Sequence, residues 1–212
     1  MSVTRRHADP DALEHVLTSA LSPSAAEWAH VCHALVTRAD AEGLIDVAVE
    51  LHDSPLGTLL LGATAQGLVR VGLPAEGEDE VMHELARRVS PRVLTAPRDT
   101  LSLVRRQLDE YFAGRRRAFE VRLDWRLTGG FRLQVLRATA RVPYGETASY
   151  REVATRAGSP AAVRAAGTAL ATNPLPIVVP CHRVVRTGGA LGAYRGGAQA
   201  KLMLLRLEGF AG

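Results

Sequence analysis

At 212 residues, 47% of them hydrophobic, the chain can bury one large core or two modest ones, which argues against a disordered linker. Its longest apolar runs, such as LGTLLLGATA, fall short of the roughly 18 residues that a membrane span needs, and the polar start MSVTRRHADPDALEH is unlike a signal peptide, so a soluble, cytoplasmic protein without membrane contact is expected. The formal net charge of +4 mildly favours an anionic partner, and two cysteines, Cys32 and Cys181, are too few for a disulfide framework or a paired-cysteine metal site.

Residues 11–40 read as two short amphipathic helices, DALEHVLTSAL and SPSAAEWAHVCHALVTRA, the second with Ser22 as N-cap and Pro23 in its first turn. Cys32 stands between His30 and His33, but a helix points those three side chains in different directions, so a core thiol is expected and no metal. From residue 44 the pattern changes to period two with glycine punctuation. LIDVAVELHD, GTLLLGAT and GLVRVGL predict a three-stranded antiparallel meander. Helices follow near 78–90 and 98–113, the second ended by Gly114. The stretch containing GRRRAF and LDWRLTGG then links two halves, its arginines forming a solvated face.

The second half is helical. GGFRLQVLRATARV, ASYREVATRAG, SPAAVRAAGTALAT and AKLMLLRLEG each predict a helix, with a turn at VPYGET. Gly158-Ser159-Pro160 supplies a C-terminal glycine, an N-cap and a first-turn proline in succession, which forces a helix, tight turn, helix arrangement. The expected architecture is therefore α+β: a helical extension over 1–42, an α/β domain over 43–126 with its antiparallel sheet, and a helix-turn-helix (winged-helix-like) domain over 127–212.

In AAVRAAGTALA, small residues surround one long cation, Arg164. They permit close approach either to a neighbouring helix or to DNA, where an arginine can fill the space of a displaced base. NPLPIVVPCHRVV, residues 173–185, places Cys181 beside His182 at the end of an apolar run broken by three prolines. A thiol needs its proton removed to become a nucleophile. Neighbouring residues on a strand face opposite ways, so His182 can serve only across a turn or through a water, and a carboxylate such as Glu208 would orient the imidazole. A strand built only for packing has no use for three prolines, which cannot donate to a ladder.

NPLPIVVPCHRVV, followed by GALGAYRGG and AKLMLLRLEG and preceded by FRLQVLRATARVPYGETASY and SPAAVRAAGTALATNP, strongly resembles the O6-alkylguanine-DNA alkyltransferases. The resemblance covers the second half closely and 44–125 more loosely. It implies stoichiometric, irreversible transfer of an alkyl group from O6-alkylguanine, with O4-alkylthymine as a further substrate, to Cys181, with no cofactor and no metal. By motif position, His182 would act through a water on Cys181, Glu208 would polarise His182, Asn173 would organise the segment, and Tyr150 would assist the leaving guanine. Pro176, Val184, Tyr194, Arg195 and Gly196 would line the base pocket. Arg164 would fill the vacated stack, with Ala162, Ala165, Ser159 and Thr147 on the minor-groove surface of a monomer bound to duplex DNA.

The chain departs from the family pattern at Ala171, where relatives carry a basic phosphate contact, at Arg195, in place of a small residue, and over the first 40 or so residues. Two rivals remain: a lesion-binding protein without chemistry, which would lack the thiol, and a Cys-His hydrolase or acyltransferase, which would have no use for the Arg164 helix.

Overall fold

A computed structural model describes residues 24–210, and the chain divides into two compact units between Glu42 and Gly43. In the first, helix α1 spans Ala25–Ala41. Its N-cap is Ser24 rather than Ser22, because Glu27 completes a reciprocal capping box: the Ser24 hydroxyl accepts from the Glu27 amide at 3.2 Å, and the Ser24 amide donates to the Glu27 carboxylate at 2.7 Å. Ser22, Pro23 and the expected helix DALEHVLTSAL lie outside the described residues. No α1 residue is buried, and Cys32 is exposed, which corrects its expected place in a core. The apolar stripe is real, with Trp28, Val31 and Leu35 all exposed, but a stripe becomes a core only against an opposing element.

The second unit opens with a four-stranded sheet in the order β3-β2-β1-β4. Strands β1 (Val47–His52), β2 (Leu59–Thr64) and β3 (Gly67–Gly72) form the expected antiparallel meander, with Leu51 opposite Leu60 and a register shift at Gly62/Ala63. The fourth strand, β4 (Val93–Thr95), pairs parallel with β1 after helix α2 (Glu78–Arg88). Three residues are too few to show alternation, which is why periodicity alone does not reveal it. Strands β2 and β3 are buried along their whole length. Gly62 and Gly72 make that possible, since a Cβ at either position would stand 3.2 Å from Leu85 or 3.0 Å from Val81 of α2. Val47, Val49, Leu60, Val69, Val81, Leu85 and Leu127 form this core, where truncating one leucine to alanine costs about 2–5 kcal/mol.

Helix α3 (Asp99–Phe112) packs on the sheet through Leu101, Val104, Leu108 and Tyr111 and ends at Gly114, whose positive φ of 71° suits a left-handed helix stop. Helix α4 spans Gly130–Thr139 and β5 Ala148–Ser149. Helix α5 (Tyr150–Arg156) starts on a second capping box, Ser149 with Glu152, and Gly158 at φ 85° turns the chain after it. Helix α6 (Val163–Ala171) begins later than expected. Ser159 is not its cap and Pro160 is not in its first turn: the Ser159 carbonyl accepts from the Ala162 amide at 3.0 Å, closing a separate turn, and Ala162 takes the N-cap place. The α5–α6 pair packs against α4 as a helix-turn-helix unit. A 3₁₀ turn at Cys181–Arg183, the short strand β6 (Val184–Val185) parallel to β5, and helix α7 (Gly197–Leu207) complete the chain. The fold is α+β, a small sheet with helices followed by a mainly helical part. Among the described residues no helix is long and apolar enough to cross a membrane.

Candidate functional site

The segment 173–185 is not a strand until its last two residues. Its prolines break the ladder, and local bonds replace it: the Val178 amide donates to Pro176 at 2.9 Å, Val179 to Leu175 at 2.8 Å and Cys181 to Val179 at 2.8 Å. Ile177 holds φ at 72°, a costly place for a β-branched residue that only over-determined surroundings maintain. Asn173, fully buried, supplies that determination. Its Oδ1 accepts from the Leu175 amide at 3.0 Å, and its Nδ2 donates to the Val179 carbonyl at 3.0 Å and to Cys181 Sγ at 3.2 Å. One amide thus shapes the loop and touches the thiol.

Cys181 is buried, and burial pushes its thiol up to about 11, opposed by the Asn173 amide and by the charge of Lys201. The resting thiol is therefore protonated. The 3₁₀ turn brings His182 into a fully buried position where its Nε2 lies 2.9 Å from Glu208 Oε1. Burial works to raise Glu208, but hydrogen bonds from His182 and then Arg183 outweigh it and hold the carboxyl at about 2. Arg183 grips Glu208 with Nε at 2.8 Å and Nη2 at 2.9 Å, and its Nη1 donates to the Val142 carbonyl at 2.6 Å. The Tyr111 hydroxyl from α3 donates to the same carboxylate at 2.6 Å. An ionised Glu208 facing Nε2 assigns the proton to that nitrogen. Nδ1 is then a lone pair, and it is buried with no hydrogen-bond partner among the described residues. Desolvation lowers the basicity of His182 and the Glu208 hydrogen bond opposes that, so the ring rests neutral and able to accept.

Of the residues expected to line a base pocket, Tyr194 lies against His182. Pro176, Val184 and Tyr194 are buried, and the Tyr194 ring meets His182 edge-on at 6.4 Å. The buried Tyr194 hydroxyl has no hydrogen-bond partner among the described residues. Tyr150 is partly buried, and burial, followed by the thiolate form of Cys181, raises its phenol. Gly192 is what admits Tyr150, because a Cβ there would stand 2.0 Å from the phenol oxygen. Gly196 is wedged similarly, its missing Cβ 3.0 Å from Tyr194 and 3.1 Å from Leu73. Arg195 Nε pairs with Glu76 at 2.5 Å.

Lys201, Arg183, Tyr111 and Gly192 are functional neighbours that sequence reasoning missed. Lys201 is fully buried, its Nζ donating to the Val184 carbonyl at 2.6 Å, and burial lowers it to about 8. Its signal is visible afterwards: a lone cation on the apolar side of AKLMLLRLEG. Tyr111 carries no such signal, since an aromatic residue in an amphipathic helix reads as core.

The residues expected to meet DNA form a different surface. Arg164, Ala165 and Thr147 are exposed, Ala162 and Ser159 partly buried, and none is hydrogen-bonded to the thiol cluster. Helix α6 uses its small residues on both sides: Ala166, Ala169 and Leu170 pack inward, while Arg164, Ala165 and Thr168 face solvent. The helix-packing reading of the alanine-rich helix thus holds on its inner face, and the outer face leaves Arg164 exposed to solvent. Among the described residues no three His, Cys, Asp or Glu side chains group as a metal site.

Residues 130–210 match the family model described as 6-O-methylguanine DNA methyltransferase, DNA binding domain, and residues 47–125 match that for the ribonuclease-like domain of the same proteins. The inducible methylated-DNA–protein-cysteine methyltransferase of Bacillus subtilis is 38% identical over 148 residues, covering 70% of this chain and 82% of its own. The methylated-DNA–protein-cysteine methyltransferase of Methanosarcina acetivorans is 36% identical over 159 residues, covering 75% and 96%. In three dimensions, O6-methylguanine methyltransferase of Mycobacterium tuberculosis superposes with a TM-score of 0.65 at 37% identity, over 76% of this chain and 92% of that one. The OGT of the same organism in complex with DNA gives 0.63 at 36% identity, over 76% and 91%.

Proposed function

The chain belongs to the methylated-DNA–protein-cysteine methyltransferase family, and from that premise we propose that it repairs DNA by direct reversal, moving the alkyl group of O6-alkylguanine, and of O4-alkylthymine, onto Cys181. The base is flipped out of the duplex, at a cost of a few kcal/mol, into the pocket beside Tyr150 and Tyr194. Cys181 Sγ attacks the alkyl carbon in line with its bond to O6. The sulfur–carbon bond forms as the carbon–oxygen bond breaks, and the electron pair leaves on the guanine. The thiol proton passes through a water to His182 Nδ1, and Glu208 stabilises the imidazolium. A hydrogen bond from the Tyr150 hydroxyl meets the charge developing on the base, which finally takes up a proton. The thioether does not hydrolyse in water, so each molecule acts once, without a cofactor.

The observation that carries this reading is His182 Nδ1, a buried lone pair without a partner among the described residues, on the residue after a thiol that already accepts from Asn173. The exposed side of α6 enters the minor groove, where Arg164 takes the place of the flipped base and Ala162, Ala165, Ser159 and Thr147 allow close approach. The protein acts as a monomer, in the cytoplasm where its DNA substrate lies. Its parts are the extension 1–42, the sheet domain 43–126 and the transferase domain 127–212.

Intact mass spectrometry with peptide mapping, after mixing with duplex DNA carrying one O6-methylguanine, tests the reading. One added methyl on Cys181, at one equivalent and no more, is expected. Binding to the lesion without added mass would leave only recognition.

A further inference from the structure

Strand β3 ends close to the site, and one of its residues touches the Pro174 carbonyl and, through Glu76, connects to Arg195. Arg70 is fully buried, the bulkiest side chain so enclosed. Burying a guanidinium is expensive unless each of its edges is matched, and here they are. Nε donates to Glu84 at 3.0 Å, Nη2 pairs with Glu76, and Nη1 donates to the Val71 carbonyl at 2.6 Å and reaches the Pro174 carbonyl at 3.4 Å. The same Pro174 carbonyl accepts from the Val71 amide at 2.8 Å. This ties β3 to the residue after Asn173, whose side chain touches the thiol.

Glu76 carries the connection to the opposite wall. Its Oε1 accepts from the Leu73 amide at 2.9 Å, which fixes the carboxylate in its own turn, and its Oε2 is shared between Arg70 and Arg195 Nε. Arg195 follows Tyr194, the buried aromatic that meets His182. Leu73 also abuts Gly196. The loop 194–196 is therefore held by an ion pair and by close packing at one place.

We propose that Arg70 and Glu76 form a brace that positions both walls of the base pocket, the Asn173–Pro176 wall through Pro174 and the Tyr194–Gly196 wall through Arg195, and that Arg195 thereby sets how tightly the alkylated base is captured. Arg195 is a positioning residue acting through its own loop. The inference rests on the transfer reading above. It also explains why an arginine stands where a small residue would suffice: its charge is spent on Glu76 rather than on the pocket.

The test uses the free base O6-benzylguanine in excess over the full chain, with adduct formation on Cys181 followed by intact mass. The concentration dependence separates base capture, read as the half-saturating concentration, from the limiting rate. Arg195→Ala, at a partly exposed position, is expected to raise the half-saturating concentration about tenfold, the effect of losing one charged contact. Its limiting rate, melting temperature and affinity for undamaged duplex should stay within about twofold of the native values or unchanged. Arg195→Lys should recover part of the loss. A half-saturating concentration equal to the native one in both Arg195→Ala and Glu76→Gln would overturn the brace while leaving alkyl transfer intact. A native protein that gains no adduct from base or duplex would instead overturn the transfer reading and this one with it.

Discussion

The Tyr111 hydroxyl donates to Glu208 at 2.6 Å, so a helix packed on the sheet completes the hydrogen bonding of the carboxylate that faces the site histidine. Burial and then the Glu208 charge push the Tyr111 phenol far above its usual range, so it stays a donor at every working pH. Removing it leaves Oε1 with two donors, His182 and Arg183. A less satisfied carboxylate is a stronger base and favours the imidazolium.

Tyr111→Phe is therefore expected to move the acid limb of the transfer pH profile to higher pH. Stability should fall by about 1.5 kcal/mol, the lower end for a hydrogen bond to a charged group, because the other two donors remain. Transfer rates measured from pH 5 to 9 decide it. A limb at the native position, with only stability lost, would make Tyr111 a packing residue.

Glu208 has its own signature in acid. Its folded value of about 2 lies below the ordinary 4.5, so the unfolded chain takes up this proton first as pH falls. The stabilisation is fully present above about 4.5 and is lost progressively toward 2, with a size on the order of 3 kcal/mol. Glu208→Gln removes this dependence and leaves Arg183 buried without its carboxylate, which is costly at neutral pH. Urea unfolding should show a wide gap between native and variant at pH 6 that narrows as pH approaches 3. A gap of constant width would contradict the ionised Glu208.

Gly192→Ala is expected to abolish transfer while sparing DNA binding. The added methyl would overlap the Tyr150 hydroxyl at 2.0 Å and stand 2.7 Å from two carbons of its ring. Residue 192 also presents its carbonyl toward Lys201, 3.4 Å away, so the loop has little room to retreat. Single-turnover transfer and a duplex-binding titration on the same sample make the comparison. Normal transfer would mean that Tyr150 is free to move and is not held for the leaving group.

How much of this was legible in the sequence depends on how local each feature is. Cys181, His182 and Asn173 lie within one segment whose prolines betray a built loop, and the capping residues around Gly158 announce the paired helices, although the second starts about one turn later than those residues imply. The distant partners were harder. Glu208 was one candidate among several until the fold brought it to His182, and Tyr111 and Arg70 belong to elements whose patterns say only that they are buried. Strand β4 is too short for any period to show. Cys32 failed for the opposite reason: amphipathic spacing promises a buried face, and no residue of that helix is buried.

The departure at Ala171 leads to a prediction on DNA affinity. Ala171 is exposed at the end of α6, and Arg132 of α4 lies beside it, its Nη2 donating to the Thr172 hydroxyl at 2.9 Å. Helix α4 thus places a cation beside position 171. Arg132→Ala should weaken binding to any duplex and reduce the slope of log affinity against log salt by about 1, as for one lost phosphate contact. Arg164→Ala should instead slow transfer from duplex DNA much more than transfer from the free base, because only the duplex has a vacated stack to fill. An unchanged salt slope in Arg132→Ala would place the compensating charge elsewhere.

The product of the reaction tests the packing around the thiol. Cys181 is 4% exposed, with Sγ already in contact with the Asn173 amide at 3.2 Å. An S-methyl group adds volume to a filled site, and it converts the sulfur into a thioether, a poorer acceptor for that amide. Overpacking of this kind costs typically about 1–3 kcal/mol. The Asn173 bond shapes the loop as well as touching the sulfur, so its loss should propagate to the Leu175 and Val179 contacts. The alkylated protein is expected to melt several degrees below the unreacted one, roughly 2–12 °C for a cost of about 1–3 kcal/mol in a chain of this size. Proteolysis should cut first near residues 173–180. A melting temperature equal to or above that of the unreacted protein would mean that the pocket, emptied of its guanine, has room for the methyl group.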